Sequence, residues 1–341
     1  MTARLRGIAG NGHYRDMGVF ATVVRRLDRF QQRHRALAFP FAVRQKFAED
    51  QGGYLAASVT YYAFFSIFPL LLVLVTLLGY ALESDPDLQR RVLDSALADF
   101  PVIGPQLEDN VHSLRGSAAA LAVGIGVAVW AGTGVALALE NALDHIWGVP
   151  IRHRVNPLLA RVRALLWIAL LGGITLVGTV LGSASAFATY GPAVRVAALL
   201  VSLAMTIVAF LAVFRVLTSH RGTWREALPG ALVAALAWEL LSALGGYVVD
   251  RQLRHASSTY GVFAIVIGLL SWIYLAVTVT LLAAEVNVVH ARRLWPRSFS
   301  LLGEQPLTTG DADALRQRAE VEARRADEDV SVAFDPPEQK V

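Results

Sequence analysis

The 341-residue chain contains no cysteine, which excludes a disulfide scaffold, thiolate metal sites and cysteine-nucleophile chemistry. Charge is scarce too: Asp, Glu, Lys and Arg make up 17% of the residues against 55% hydrophobic, and the mean hydropathy is +0.48. That balance describes a polytopic membrane protein with most of its length in one membrane domain, not a pair of soluble domains. Local signatures of hydrolytic, phosphate-binding and zinc chemistry are missing as well: there is no HExxH, no GxSxG, no phosphate loop and no zinc-ligand spacing. The eight histidines are scattered, with His145, His153, His220 and His290 near expected helix ends. These absences lead to an expectation of a non-enzyme with no cofactor and no metal.

What is abundant is apolar length. Six stretches, at about 54–82, 117–147, 158–190, 193–217, 227–249 and 260–290, each reach the roughly 20 residues needed to cross a 30 Å hydrocarbon layer. The expected fold is therefore all-α, with six transmembrane helices. The third and fourth stretches are separated only by Gly191 and Pro192, which suits a tight reversal. The first stretch has two characters: its second half is plainly lipid-compatible, whereas its first half carries Ser58, Thr60, Tyr61, Tyr62 and Ser66. Hydroxyls at that depth need partners, from a neighbouring helix or from water. Pro69 frees a backbone carbonyl in the same helix and marks either a gating kink or a plain structural one.

The flanking segments are amphipathic or polar. In the basic segment 1–53, Phe20, Val23, Val24, Leu27 and Phe30 recur at helical spacing among arginines. This describes a helix lying on an anionic membrane face or on the protein's own surface, and Pro40 is expected to end or bend any helix that reaches it. Residues 85–116 read as an amphipathic outer cap. Residues 294–341 read as a mostly disordered tail, because a charged helix from Ala314 onward has almost no apolar face to pack.

Of the 31 Lys and Arg residues, 25 fall in the segments that share a side with the two termini. By the positive-inside rule both termini are expected in the cytoplasm. The net charge of +4 is then mostly topology, and nucleic acid is not an expected partner; membrane lipids are, and self-association stays open.

Polar residues recur at one depth in three of these helices. Glu140 stands about seven residues, or roughly 10 Å, inside the second span, beside Asn141. Glu285 and Asn287 repeat this placement in the sixth span, and Tyr61, Tyr62 and Ser66 enter the first span from the same side. Together they predict a cytoplasm-facing polar cavity that takes a lipid or a small solute. The structural alternative is an interhelical clamp, in which the same groups bond to neighbouring helices or to interfacial arginines. Glu239 in the fifth span lies deeper, roughly 20 Å in by the same rise per residue. It is either protonated, which suits proton coupling, or hydrogen-bonded to a hydroxyl such as Thr175 or Thr206. Gly178 and Gly182 form a GxxxG pair that reads as close helix packing.

The segments AASVTYYAFFSIFPLLL, ALENALDHIWGV with Arg152, LPGALVAALAWEL and YGVFAIVIGLLSWIYLAVTVTLLAAEVN together resemble the YihY/BrkB family of bacterial inner-membrane proteins. The resemblance runs from about Phe47 to Arg293; Ala284 stands where that family usually has glycine. It implies six spans, a location in the bacterial inner membrane as a multi-pass protein, and a permease or lipid-handling role. The competing class is a non-transporting envelope protein that organises lipids or partner proteins. The family also carries an older ribonuclease label, which no metal-ligand cluster in the sequence supports.

Overall fold

The structure, a computed structural model, describes residues 26, 28–81, 118–150, 154, 156, 159–167, 192–220, 222–253, 261–298 and 308–321. Among the described residues every regular element is helical and no strand occurs. The outer cap expected at 85–116, the Gly178–Gly182 pair and the apolar residues Phe20, Val23, Val24 and Leu27 lie outside them.

In chain order the long helices are α1 (Arg35–Glu49), α2 (Gly52–Ala81), α3 (Ala118–Ile146), α4 (Pro192–Val216), α5 (Trp224–Leu253), α6 (Gly261–Arg292) and α7 (Thr309–Val321). A shorter helical run occupies 159–167. Their ends follow local chemistry. Helix α3 stops in a Schellman turn: Gly148, at φ +62°, donates to the His145 carbonyl (3.0 Å), and Val149 donates to that of Asp144 (2.8 Å). Helix α6 ends on Arg293 at φ 53°, with Leu294 donating to the Val289 carbonyl (3.2 Å). Helix α5 is preceded by Thr223, whose hydroxyl donates to Glu226 (3.0 Å). Helix α7 starts with a reciprocal box, in which the Asp311 amide donates to the Thr308 hydroxyl (3.1 Å) and the Thr308 amide to the Asp311 carboxylate (3.1 Å).

Only Asp50 and Gln51 separate α1 from α2, and Gln51 takes φ 54° to reverse the chain. Gly52 comes next because a β-carbon there would run into the Phe47 ring. Pro40 sits inside α1 without ending it; the helix continues for nine more residues, to Glu49.

Helix α6 is the hub, packing against α1, α2, α3 and α5, while α2 also packs on α3 and α4 on α5. The buried core gathers at one end of this bundle, in the first turns of α2 and α5 and the last turns of α3, α4 and α6. Many of its members are small: Ala42, Ala56, Ala142, Ala231, Ala234, Ala283 and Ala284 are all fully buried or nearly so. Without a hydrophobic drive between helices in lipid, close backbone approach supplies the packing, and small residues permit it. Farther from that end the apolar side chains point outward, Trp130, Leu200 and Phe263 among them, as a hydrocarbon solvent requires.

Three helical segments, Gly52–Leu70, Ala122–Ile146 and Val266–Arg292, are long and apolar enough to cross a membrane, and Leu200–Val216 is a shorter apolar helix. The fold is thus an all-helical bundle with several apolar helices of spanning character. Of the segment 294–341, expected to be a mostly disordered tail, only 294–298 and 308–321 are among the described residues. Helix α7 buries Asp311, Ala314 and Gln317, so it docks through polar contacts where its apolar face is too small to do so alone.

Candidate functional site

The ends of α3, α4 and α6 and the starts of α2 and α5 bring a layer of polar groups into the buried end of the bundle. At its centre Lys46 of α1 reaches three acceptors: it is ion-paired to Asp50, donates to the Ile146 carbonyl (3.1 Å) and lies 3.7 Å from Glu285 of α6. All three ionisable side chains are buried, Glu285 completely. Nearby, Arg163 pairs with Glu140 and also donates to the Leu217 carbonyl (3.1 Å), tying residues 159–167 to α3 and α4. Asp144 accepts from the Thr218 hydroxyl (2.9 Å), the Ser219 amide (2.6 Å) and the Ser219 hydroxyl (2.8 Å), which fixes the loop after α4. Arg292 donates to the Trp147 carbonyl (2.6 Å).

Outside the spanning segments the titrations result from these contacts. Burial lowers the His220 imidazole below its usual range; the ring stacks on Trp147 with centroids 4.0 Å apart and lies 3.3 Å from Glu226. Burial by itself would raise Asp311, but hydrogen bonds from Ser298, Thr308 and Arg297 outweigh it and hold the carboxyl below the usual aspartate range. Arg297 also reaches Glu49 (2.5 Å), so the segment after α6 joins α7 to α1.

Beside α1 lies a groove of about 1130 Å³, walled by α1, the start of α2, α5 and α6. Val43, Phe47 and Leu282 make its lining apolar, Tyr54 and Tyr274 add phenols, and Arg44 is the charged side chain along it. The groove lies at the end of the bundle where the α2 span begins and the α6 span ends.

The residues singled out from sequence separate into distinct places. Glu285 meets α1 through Lys46, whereas Glu140 meets Arg163. Asn287 is fully buried and accepts from the Gly230 amide (2.6 Å), locking α6 to α5. Asn141 is exposed and accepts from Arg154 (2.6 Å). Tyr61 and Tyr62 stay 58% and 45% exposed, their rings edge-to-face 5.6 Å apart, and the Tyr62 ring closes on Gly134 of α3. Ser66 donates back to the Ala63 carbonyl (2.8 Å), and Thr60 to that of Ala56 (2.7 Å). Helix α2 runs unbroken through Pro69. Glu239 lies on an exposed face of α5; of the two hydroxyls considered for it, Thr206 donates to the Ser202 carbonyl (3.0 Å) and Thr175 is outside the described residues.

Sequence reasoning passes over Lys46 and Asp50. Their spacing of four residues is the helical ion-pair signal, but they precede the first apolar run and read as part of the basic terminal segment. Arg163 reads in the sequence as a topology marker, and only the fold brings it to Glu140.

Against known proteins, the family model "Virulence factor BrkB" matches residues 43–301. A UPF0761 membrane protein of Stenotrophomonas maltophilia is 27% identical over 271 residues, covering 76% of this chain and 62% of the relative. A UPF0761 membrane protein of Ralstonia nicotianae is 31% identical over 242 residues, covering 62% and 52%. The ribonuclease-like protein YfkH of Bacillus subtilis is 23% identical over 266 residues, covering 74% and 94%. The matched part of this chain thus spans only 62% and 52% of the two UPF0761 relatives. No solved structure matches. With a family model covering most of its length, the chain belongs to the BrkB virulence-factor family of membrane proteins, and its apolar helices of spanning character agree with that.

Proposed function

We propose that this protein is a flippase-like permease for membrane lipid, admitting its substrate sideways through the groove beside α1. The observation that carries the reading is the groove itself. At about 1130 Å³ it exceeds the roughly 300–1,000 Å³ of ordinary ligand clefts, and its lining is apolar with one cation, Arg44. An acyl chain satisfies the apolar wall and a lipid phosphate satisfies the guanidinium, whereas a hydrophilic solute satisfies neither. The buried carboxylates Glu140 and Asp50 are already ion-paired, which turns the reading away from a polar solute cavity and towards lipid.

In this reading the chain makes six spans in the bacterial inner membrane with both termini cytoplasmic, and it is a carrier and not a ribonuclease. The test is translocation of a fluorescent phospholipid in proteoliposomes, comparing wild type with Ala57→Trp, which projects an indole into the groove. Wild type is expected to exceed protein-free vesicles at least several-fold and the variant to fall back towards them; equal rates in all three would sink the proposal. A second reading, an envelope protein that organises lipid without moving it, is favoured by the clamp-like pairing of the polar layer. Lipid that co-purifies with wild type and is lost in Ala57→Trp, with no translocation by either, would select it.

A further inference from the structure

The cluster formed by Lys46, Asp50 and Glu285 is unbalanced. One ammonium serves two carboxylates, and their relative exposures are 5%, 8% and 0%. Lys46 spends its closest contacts on Asp50 and the Ile146 carbonyl. Glu285 is left 3.7 Å from the nitrogen, and both of its carboxylate oxygens lack a hydrogen-bond donor. Taking a charge out of water costs several kcal/mol per ion even after relaxation, so an ionised carboxylate with no donor is the least tenable member of such a group. Lys46 lies within ion-pair distance of both carboxyl groups, which places Asp50 and Glu285 around one buried ammonium. Two buried carboxyl groups set around a single ammonium do not both ionise, so the pair keeps a proton.

We propose that Asp50 and Glu285 hold one proton between them at neutral pH, which makes this cluster a proton-binding site of the membrane domain. The proton bonds to an oxygen of Glu285, the member that lacks a donor, while the Asp50 carboxylate keeps its ion pair with Lys46. The cluster is then neutral, with one ammonium, one carboxylate and one carboxylic acid. Of the elements packed around the cluster, α1 also carries Arg44 and Glu49, α3 carries Glu140, Asp144 and His145, α5 carries Arg225 and Glu226 in its first turn and Glu239 near its middle, α6 carries His290 and Arg292 beyond Glu285, and α2 contributes no charged residue. Helix α1 carries Lys46 and Asp50 towards α6 and also carries Val43, Arg44 and Phe47 along the groove. Loss of the proton would set two carboxylates against each other across the α1–α6 contact and loosen one wall of that groove. This coupling rests on the lipid reading; the proton site does not.

The test uses the full chain in nanodiscs and pH-difference infrared spectroscopy of the carboxylic-acid carbonyl stretch. Wild type is expected to show a protonated-carboxyl band at neutral pH that disappears in Glu285→Gln, moves in Asp50→Asn and persists in Glu239→Gln. Glu285→Gln, an isostere of the protonated acid, is expected to keep the wild-type melting temperature. Absence of the band in wild type, or its persistence in Glu285→Gln, overturns the proposal. Should Glu285→Gln not fold, the Asp50→Asn spectrum decides, because an unmoved band rules out a shared proton. Lipid translocation is not part of this readout, so the site and the permease reading fail separately.

Discussion

Gly230 marks a close approach between α5 and α6. A β-carbon there would strike the Ala283 carbonyl and the Asn287 amide group, and the glycine's own amide donates to Asn287. The Ala283 carbonyl belongs to helix backbone and cannot swing aside. Gly230→Ala is therefore expected to destabilise by about 1–3 kcal/mol through overpacking, despite alanine's better helix propensity. Gly126→Ala in α3 meets nothing within 4 Å and should melt like wild type. A thermal-shift comparison of the two in the same detergent checks this. Lys46 carries more risk, because Lys46→Met leaves the buried Asp50 carboxylate without its cation. Breaking a buried pair in this way costs about 3–5 kcal/mol, and loss of folded yield with a sharply lowered melting temperature is the expected result. The depths of Glu140 and Glu285 were legible in the sequence from their distance to the helix ends. Their partners were not, because Lys46 and Glu285 are far apart along the chain and only the α1–α6 contact joins them.

Helix α7 shows how an element with little apolar surface can still dock. Asp311 collects the Arg297 guanidinium, the Ser298 hydroxyl and the Thr308 hydroxyl, while Gln317 reaches the Trp147 carbonyl (3.4 Å). Periodicity counts apolar residues and so misses a helix held by charge and hydrogen bonds, which is why the tail reads as disordered. The Asp311 carboxyl is held below its unfolded value, near 3.9. Its contribution is therefore complete above that pH and is lost as pH falls through the folded value. Release of α7 is expected in strong acid only, with no change between neutrality and pH ~5, where the unfolded carboxyl is also ionised. Hydrogen exchange at residues 309–321 across this range tests it, and Asp311→Asn should show the released state at neutral pH. His220 has the opposite chemistry but the same direction: burial lowers its imidazole, so the folded state loses ground as pH drops below ~6.5, where the unfolded ring takes up a proton.

For the whole molecule, orientation can be tested directly because the chain has no cysteine of its own. Single cysteines introduced at Asp313, exposed on α7, and at Asp250, near the end of α5, should label from opposite faces in spheroplasts. The six-span, both-termini-inside arrangement requires Asp313→Cys to be protected until the cytoplasmic side is opened and Asp250→Cys to react at once. Labelling of both from the outside would reverse or break that topology.

The sequence by itself determined the solvent and the class: scarce charge, apolar runs long enough to span and arginine asymmetry are one-dimensional properties, and hydrophobic length needs no partner to be meaningful. Helix ends were equally local, since a left-handed glycine or a threonine three residues before an acid acts within one turn. Only the tertiary structure decided where the polar groups go. Depth along a helix is linear in sequence, but direction around it is settled by the neighbour. That neighbour turned Glu140 towards Arg163, Glu285 towards Lys46 and Asn287 towards Gly230, and it set an apolar groove at that end of the bundle.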